Sequence, residues 1–172
     1  ASRDTLTGTK SWTINDSGID SDCIAPTVTN VTSTKANGSY KAGTLIPITV
    51  TFSEAVNVTG TPQITLETGS SDAVVDYSSG TTTNTLTFNY TVAAGHDSSD
   101  LDYVDINALV LNSGTIKDAA TNDATLTLVS PGNANSLGAN KTLVIDTTIP
   151  EITLAGIATV DIEVGSTYTD DG

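Results

Sequence analysis

The feature that most constrains this sequence is the alternation of apolar and polar residues along two segments. Every second residue is apolar from Ile46 to Phe52, and the same holds from Leu86 to Val92. Successive side chains of a β-strand point to opposite faces, so this period of two indicates strands with one buried and one exposed face. Both segments are therefore predicted to be strands of a sheet that covers a core.

Weaker alternation predicts further short strands, and turn residues such as Ala36-Asn37-Gly38 and Pro131-Gly132-Asn133 separate them. The further strands are predicted at 28–31, 63–67, 73–77, 106–111, 126–129 and 143–145. The chain has no Met and only 6 Lys and Arg residues together, so good helix formers are scarce. Many short strands at this spacing predict an all-β protein, an immunoglobulin-like antiparallel β-sandwich with additional unpaired strands flanking it.

Tyr103 lies where the fifth strand of such a sandwich would turn into the sixth. Sandwiches often place a tyrosine at this corner, with its hydroxyl bonded to the backbone. An ordinary half-buried tyrosine would fit the sequence equally well, and both interpretations are kept.

Two similar segments indicate how the chain is divided. GIDSDCIAPTVT and VIDTTIPEIT each contain Ile-Asp, a polar stretch and a proline that opens a strand. They are interpreted as equivalent junctions, which gives a complete sandwich at 24–148. Residues 1–23 are interpreted as a strand and linker of a preceding or neighbouring module, and 149–172 as the beginning of a following module or as exchanged strands. Neither flank has enough apolar residues for its own core.

The residues between these junctions carry a family resemblance. The runs ITVTFSEAVNVTGTPQITLETG, ALVLNSGTIKDAATNDATLTL and NKTLVIDTTIP resemble the bacterial Ig-like, cadherin-like repeats of giant surface adhesins and secreted multidomain proteins. The tail PEITLAGIATVDIEVGSTYTDDG resembles the start of a second bacterial Ig-like surface module. The resemblance implies a stalk or spacer, often with calcium at the junctions. Many such repeats have D-x-x-G-N after the residue matching Asp118, and here Thr121 stands in place of the glycine.

The charge of the chain limits its partners. The formal net charge is −14 and the pI is about 4.1, so nucleic acid and anionic membrane surfaces are not expected to bind. No apolar run approaches the ~18 residues of a membrane span, and no signal peptide is recognised. Cys23 is the only cysteine, so no disulfide forms within the chain. An extracellular protein of bacterial type fits these features.

Carboxylates are grouped at both ends of the predicted sandwich. One predicted group comprises Asp20, Asp22, Glu54, Asp118 and Asp123, and a second comprises Asp100, Asp102, Asp105, Asp146 and Glu151. Calcium takes 6–8 oxygen ligands, so either group could bind calcium with the help of carbonyl oxygens. The alternative is an acidic surface that only interacts with water.

No pattern of catalytic residues is recognised. His96, the only histidine, lies in a polar loop and is predicted to be a solvated residue. The sequence contains no nucleophile elbow, zinc-protease motif or phosphate-binding loop. An enzyme is therefore not expected. Six asparagines lie in N-x-S/T and are candidates for glycosylation, namely Asn15, Asn30, Asn37, Asn57, Asn89 and Asn140.

Two classes of function follow. The first is a structural module of a surface or fibre protein, whose partners are adjacent modules or neighbouring copies joined by β-strand addition. The alternative is a module that binds a glycan or a host receptor through its loops, or an accessory domain of a secreted glycoside hydrolase.

Overall fold

The computed structural model describes residues 24–152 and Gly165. Within those residues the chain is almost entirely β, with one four-residue helix, α1 (Leu137–Asn140). The strands in chain order are β1 (Val28–Ser33), β2 (Gly38–Tyr40), β3 (Leu45–Thr59), β4 (Gln63–Leu66), β5 (Ala73–Ser79), β6 (Thr83–Thr91), β7 (Asp97–Ser98), β8 (Leu109–Val110), β9 (Thr115–Lys117) and β10 (Leu143–Asp146). The predicted all-β, sandwich-like fold is confirmed.

Most of the predicted strands are present, with two exceptions. Residues 126–129 form no strand, and the strand predicted at 106–111 is reduced to Leu109–Val110. Both segments instead bond to each other, since the Leu128 N–H donates to the Ile106 carbonyl at 2.8 Å. Three short strands, β2, β7 and β9, were not predicted, because two or three residues are too few to show alternation.

One sheet is built around the long strand β3. Its order is β1–β3–β6–β5, and all of these pairs are antiparallel. β5 bends away at its first half and pairs there with β4, which in turn pairs with β8. β3 has a bulge between Thr51 and Val56, and beyond the bulge it pairs with β9. The sheet therefore curls around the core rather than lying flat.

The second sheet contains β2, β10 and β7, with β10 in the centre. β10 runs parallel to β2 and antiparallel to β7. Backbone bonds connect β7 and the residues after it to the segment that follows β4, because the Asp97 N–H donates to the Thr68 carbonyl at 3.0 Å and the Glu67 N–H to the Asp102 carbonyl at 2.9 Å. Buried residues of both sheets, among them Phe88 of β6 and Ile145 of β10, belong to one hydrophobic core.

The core consists of the apolar faces that the alternation predicts. Ile46, Ile48 and Val50 are 0% exposed, and Leu86 and Phe88 are equally buried. Burying a side chain of this size contributes roughly 1.5–3 kcal/mol, so these two strands carry much of the stability. Tyr77 meets Phe88 edge to face, with ring centroids 6.1 Å apart.

The chain enters and leaves the sandwich at opposite ends. Val28 of β1 is opposite Phe52, so β1 begins beside the far half of β3 and runs towards its start. β2 ends near the start of β3, where the Gly43 N–H donates to the Val92 carbonyl at 2.8 Å. Because β10 is parallel to β2, it also leaves at this end. The end holding Val28 is called the N-proximal end below, and the end holding Asp146 the C-proximal end.

In the part of the chain that the structure describes, no helix has the length and apolar character needed to cross a membrane.

Candidate functional site

The N-proximal end contains a tight loop built on Asp118. Its Oδ1 accepts the Asn122 backbone N–H at 2.8 Å, and its Oδ2 accepts the Asn122 side-chain amide at 2.7 Å. Burial would raise the pKa of this carboxyl, but hydrogen bonds from Asn122, Ala120 and Thr121 hold the pKa below its ordinary value. The Asp118 carboxylate therefore organises the loop.

The turn that the resemblance associates with glycine is formed here by Thr121. Thr121 has φ 74°, in the left-handed region that side chains with a branched β-carbon seldom adopt. Its N–H donates to the Asp118 carbonyl at 3.3 Å. A turn therefore forms here with threonine at the left-handed position, and the loop holds Thr121 in a strained conformation.

The first predicted carboxylate group is only partly within the described residues, because Asp20 and Asp22 lie outside them. The segments that carry the other members do meet, since the Ser53 N–H donates to the Thr27 carbonyl and the Thr125 N–H to the Pro26 carbonyl, each at 2.8 Å. Glu54 and Asp123 lie next to these contacts, at the N-proximal end. Asp123 forms an ion pair with Lys117 at 2.6 Å.

The second predicted group is not gathered at one point. Asp100 and Asp146 are exposed, whereas Asp102 is only 8% exposed. Asp102 accepts the backbone N–H groups of Tyr103 and Gly132, each at 2.9 Å.

The remaining two members of that group have separate positions. Asp105 accepts the Asn107 N–H at 2.7 Å in a local turn, and Glu151 is exposed. Across residues 24–152 and Gly165, no three side chains among His, Cys, Asp and Glu lie close enough to bind one metal ion. Calcium binding stays a prediction, and it depends on Asp20 and Asp22.

His96 is placed differently from the prediction of a solvated residue. It is half-buried, and its ring stacks on Tyr90 with centroids 5.8 Å apart. Its Nδ1 lies 2.8 Å from the Tyr90 hydroxyl and accepts the Ala93 N–H at 3.3 Å. Because Nδ1 accepts the hydrogen bond from Ala93, it carries no hydrogen of its own. The tyrosine hydroxyl is therefore the donor in the bond between Tyr90 and Nδ1. Burial raises the pKa of Tyr90 to about 12.

An open, polar groove lies beside this pair, where β5 bends away from β6. Asp72, Asp76 and Asn89 line it together with Tyr90 and His96. Two lining residues are bonded to each other, because the Asn89 side-chain amide donates to the Ser78 hydroxyl at 2.8 Å. No sequence pattern indicates this groove, because it results from the change of pairing partner along β5.

Tyr103 is buried, with 1% exposure, and its hydroxyl donates to the Val129 carbonyl at 2.5 Å. The hydroxyl thus bonds to the backbone, as one interpretation predicted, but to a segment far along the chain. Burial, with the charge of Asp102 adding to it, raises the pKa of Tyr103 above its ordinary range. Tyr103 fastens the irregular segment before α1 to the core.

The candidate glycosylation residues differ in how their side chains are used. Asn37 and Asn57 are exposed, and the Asn37 Oδ1 accepts the Thr142 N–H at 3.1 Å. The Asn140 amide donates to the Asn30 side chain and to the Val31 carbonyl, each at 2.8 Å. The Asn89 amide nitrogen is likewise bonded, and Asn15 lies outside the described residues. Glycosylation stays a prediction, and Asn37 and Asn57 are the positions that suit it best.

The clearest candidate for a functional element is the contact between β2 and β10, here called the terminal clamp. Leu143 is opposite Gly38, Val144 opposite Ser39, and Ile145 opposite Tyr40. Leu143 and Ile145 are buried in the core, so the clamp is anchored on its inner face.

Threonines extend the clamp at both of its ends. The Gly38 N–H donates to the Thr142 carbonyl at 3.0 Å, and the Asn37 Oδ1 accepts the Thr142 N–H at 3.1 Å. Beyond β10, the Thr147 hydroxyl donates to the His96 carbonyl and accepts the Gly95 N–H, each at 2.9 Å. β10 is therefore held to the body of the sandwich along its whole length.

Comparison of this chain with protein-family models, with curated proteins and with solved structures gave no match.

Proposed function

We propose that this chain is a structural Ig-like module of an extracellular surface or fibre protein, which spaces its neighbours and bears tension along its length. Its partners are adjacent modules of the same kind. Calcium at the N-proximal end, bound with Asp20 and Asp22, is part of the proposal. Neither catalysis nor nucleic-acid binding belongs to it.

The observation that carries the proposal is the position of the two chain ends. Because the described chain enters at one end of the sandwich and leaves at the other, successive modules extend end to end. Tension applied to both ends pulls β10 along its axis, away from β2, which runs parallel to it. The hydrogen bonds of the terminal clamp then share the load, because they lie across the direction of pulling.

The strand order supports the Ig-like part of the proposal. Ig sandwiches have the sheet order A-B-E-D opposite C-F-G. Here β1, β3, β6 and β5 follow one another as A, B, E and D would. The segment that begins with β7 bonds to β10 on one side and to the residues that follow β4 on the other, as F lies between C and G. In this chain β4 also pairs with β5.

Single-molecule stretching of the full chain tests the load-bearing role. Cys23 precedes the first described residue, and a second attachment point is provided by Thr148→Cys. Pulling between these positions shears the terminal clamp. The control is a chain with Cys23→Ser, Lys41→Cys and Thr148→Cys, in which both handles lie at the C-proximal end and peel β10 from β2.

We expect the sheared chain to unfold at a clearly higher force than the peeled chain, because peeling breaks the clamp bonds one at a time. Equal forces in the two geometries would contradict a load-bearing role for the clamp.

The manner of joining neighbours is a separate part of the proposal. A strand from 1–18 that completes the sheet of another copy would give filaments, since exposed sheet edges accept such strands. Electron microscopy of the purified chain tests this. Filaments that disappear on deletion of 1–18 support strand addition, and uniform single particles at all concentrations exclude it.

A further inference from the structure

Asn37 and Gly38 form the only Asn-Gly pair in the chain, and they stand at the start of the terminal clamp. An asparagine side chain can be attacked by the backbone nitrogen of the next residue. Glycine favours this attack because it has no β-carbon to obstruct the approach. In the unfolded chain, this pair is therefore the position most prone to deamidation.

In the folded structure, Thr142 forms hydrogen bonds to both reacting groups. The attacking atom is the Gly38 nitrogen, and its N–H donates to the Thr142 carbonyl at 3.0 Å. The group under attack is the Asn37 carboxamide, and its oxygen accepts the Thr142 N–H at 3.1 Å. Thr142 precedes β10, so both bonds persist only while β10 is paired with β2.

We propose that Asn37 is a deamidation site that the terminal clamp protects, and that separation of β2 from β10 releases it to react. The Gly38 nitrogen then forms a bond to Asn37 Cγ and loses its proton to water, and ammonia leaves. Water opens the resulting succinimide at one of its two carbonyls and gives aspartate or isoaspartate. Water is the only co-reactant. The proposal goes beyond the load-bearing role and does not depend on it.

The fold itself explains why a reactive pair stands at this position. Gly38 has φ 153°, which side chains of L-residues rarely adopt, so the backbone requires glycine. The Thr142 N–H requires an acceptor, and the Asn37 carboxamide supplies one without adding a charge.

The two products are expected to differ in their effect. Aspartate retains an oxygen in the position of the Asn37 acceptor, so the bond to Thr142 can reform. Isoaspartate places an extra carbon in the main chain and shifts Gly38 out of register with Leu143. A module that has been opened and modified in this way cannot fully close its clamp.

The test is a time course of deamidation in the full chain, followed by peptide mass spectrometry that separates aspartate from isoaspartate at position 37. The folded chain in mildly alkaline buffer is compared with the same chain in denaturant, and the unreacted Asn37→Gln chain serves as the blank. We expect the folded chain to react at least tenfold more slowly. Equal rates in the two conditions would overturn the proposal.

A reversible staple shows whether the clamp itself is the protecting element. Ser39 and Val144 are opposite each other, so Ser39→Cys with Val144→Cys, in a Cys23→Ser background, places two cysteines across the clamp. At a denaturant concentration that opens the clamp without full unfolding, we expect the oxidised staple to suppress deamidation and its reduction to restore it. The same rate with the staple oxidised and reduced would refute protection by the clamp.

Discussion

At the scale of single residues, Thr121 shows a backbone conformation that its side chain does not favour. A left-handed conformation disfavours an L-residue by roughly 1–2 kcal/mol. The loop nevertheless adopts it, because Asp118 accepts hydrogen bonds from both the backbone and the side chain of Asn122. Threonine at this position gives no local reason to expect the turn, and the surrounding hydrogen bonds decide that it forms.

Thr121→Gly is expected to stabilise the protein. Glycine adopts φ 74° without strain, which stabilises the folded state. Glycine also raises the conformational entropy of the unfolded chain, which is a smaller effect. The free energy of unfolding should therefore rise by about 0.5–1 kcal/mol. Chemical denaturation measures it. The matched control is Thr34→Gly, an exposed threonine outside the left-handed region, which should destabilise. A loss of stability in Thr121→Gly would show that contacts of the Thr121 side chain stabilise the folded state by more than the strained backbone destabilises it.

Tyr90 links burial to pH dependence. Its pKa is about 12 in the folded protein against 10.0 ordinarily, because burial disfavours the phenolate. A group whose pKa is raised by folding contributes fully below its unfolded pKa and loses that contribution as pH rises through the folded pKa. Stability should therefore fall between pH 10 and about 12.

Tyr90→Phe is expected to reduce this alkaline loss, since phenylalanine has no proton to release. The part due to Tyr103, whose pKa is also raised, remains. The free energy of unfolding is measured as a function of pH in both chains, and only the slopes are compared, because the variant also lacks the bond to His96. Identical slopes above pH 10 would mean that Tyr90 is not responsible for the loss.

At the scale of elements, β3 is a central strand that contains a proline. Proline donates no hydrogen bond and is normally confined to sheet edges. The pairing of β1 with β3 ends at Ser33 and Ile48, so Pro47 lies just beyond the part of β3 that is covered on both sides. The Ser33 hydroxyl donates to the Pro47 carbonyl at 2.7 Å. This carbonyl thus has a hydrogen-bond partner although β1 ends before it.

Ser33→Ala is expected to destabilise the protein by about 1–2 kcal/mol, because the Pro47 carbonyl and the Lys35 N–H each lose a partner. Thermal and chemical unfolding measure the effect. Ser39→Ala, on an exposed position of β2, is the control and should change stability by less than about 0.5 kcal/mol. Equal effects of the two substitutions would show that the hydrogen bonds of Ser33 do not stabilise the end of β1.

At the scale of the whole molecule, the acidic charge raises the question of calcium. The N-proximal end brings Glu54 and the Asp118 loop to the same region that Asp20 and Asp22 precede in the chain. If calcium binds only the folded state, it stabilises the protein by RT ln(1 + [L]/Kd), about 2.7 kcal/mol at a concentration one hundred times Kd.

Calcium is therefore expected to raise the thermal midpoint of the full chain, and chelator is expected to lower it. The matched variant is Asp20→Asn with Asp22→Asn, which should abolish the shift while Asp100→Asn leaves it unchanged. An unchanged midpoint of the original chain at millimolar calcium would remove calcium from the proposed function.

By itself, the sequence determined the fold class, the main strands and the inner face of each. Alternation from Ile46 to Phe52 and from Leu86 to Val92 is a local property, and burial of one face follows directly from it. The turn residues and the scarcity of helix formers excluded a helical protein in the same way.

Only the tertiary structure decided which segments pair and what the loops do. The parallel contact of β2 with β10, the bond from Tyr103 to Val129 and the stacking of His96 on Tyr90 all join residues through the fold, not through the sequence pattern around them. Short strands such as β2 gain stability from neighbours that are distant in the chain, so no local period marks them. For the same reason, the sequence predicted two groups of carboxylates but could not specify the distances between them.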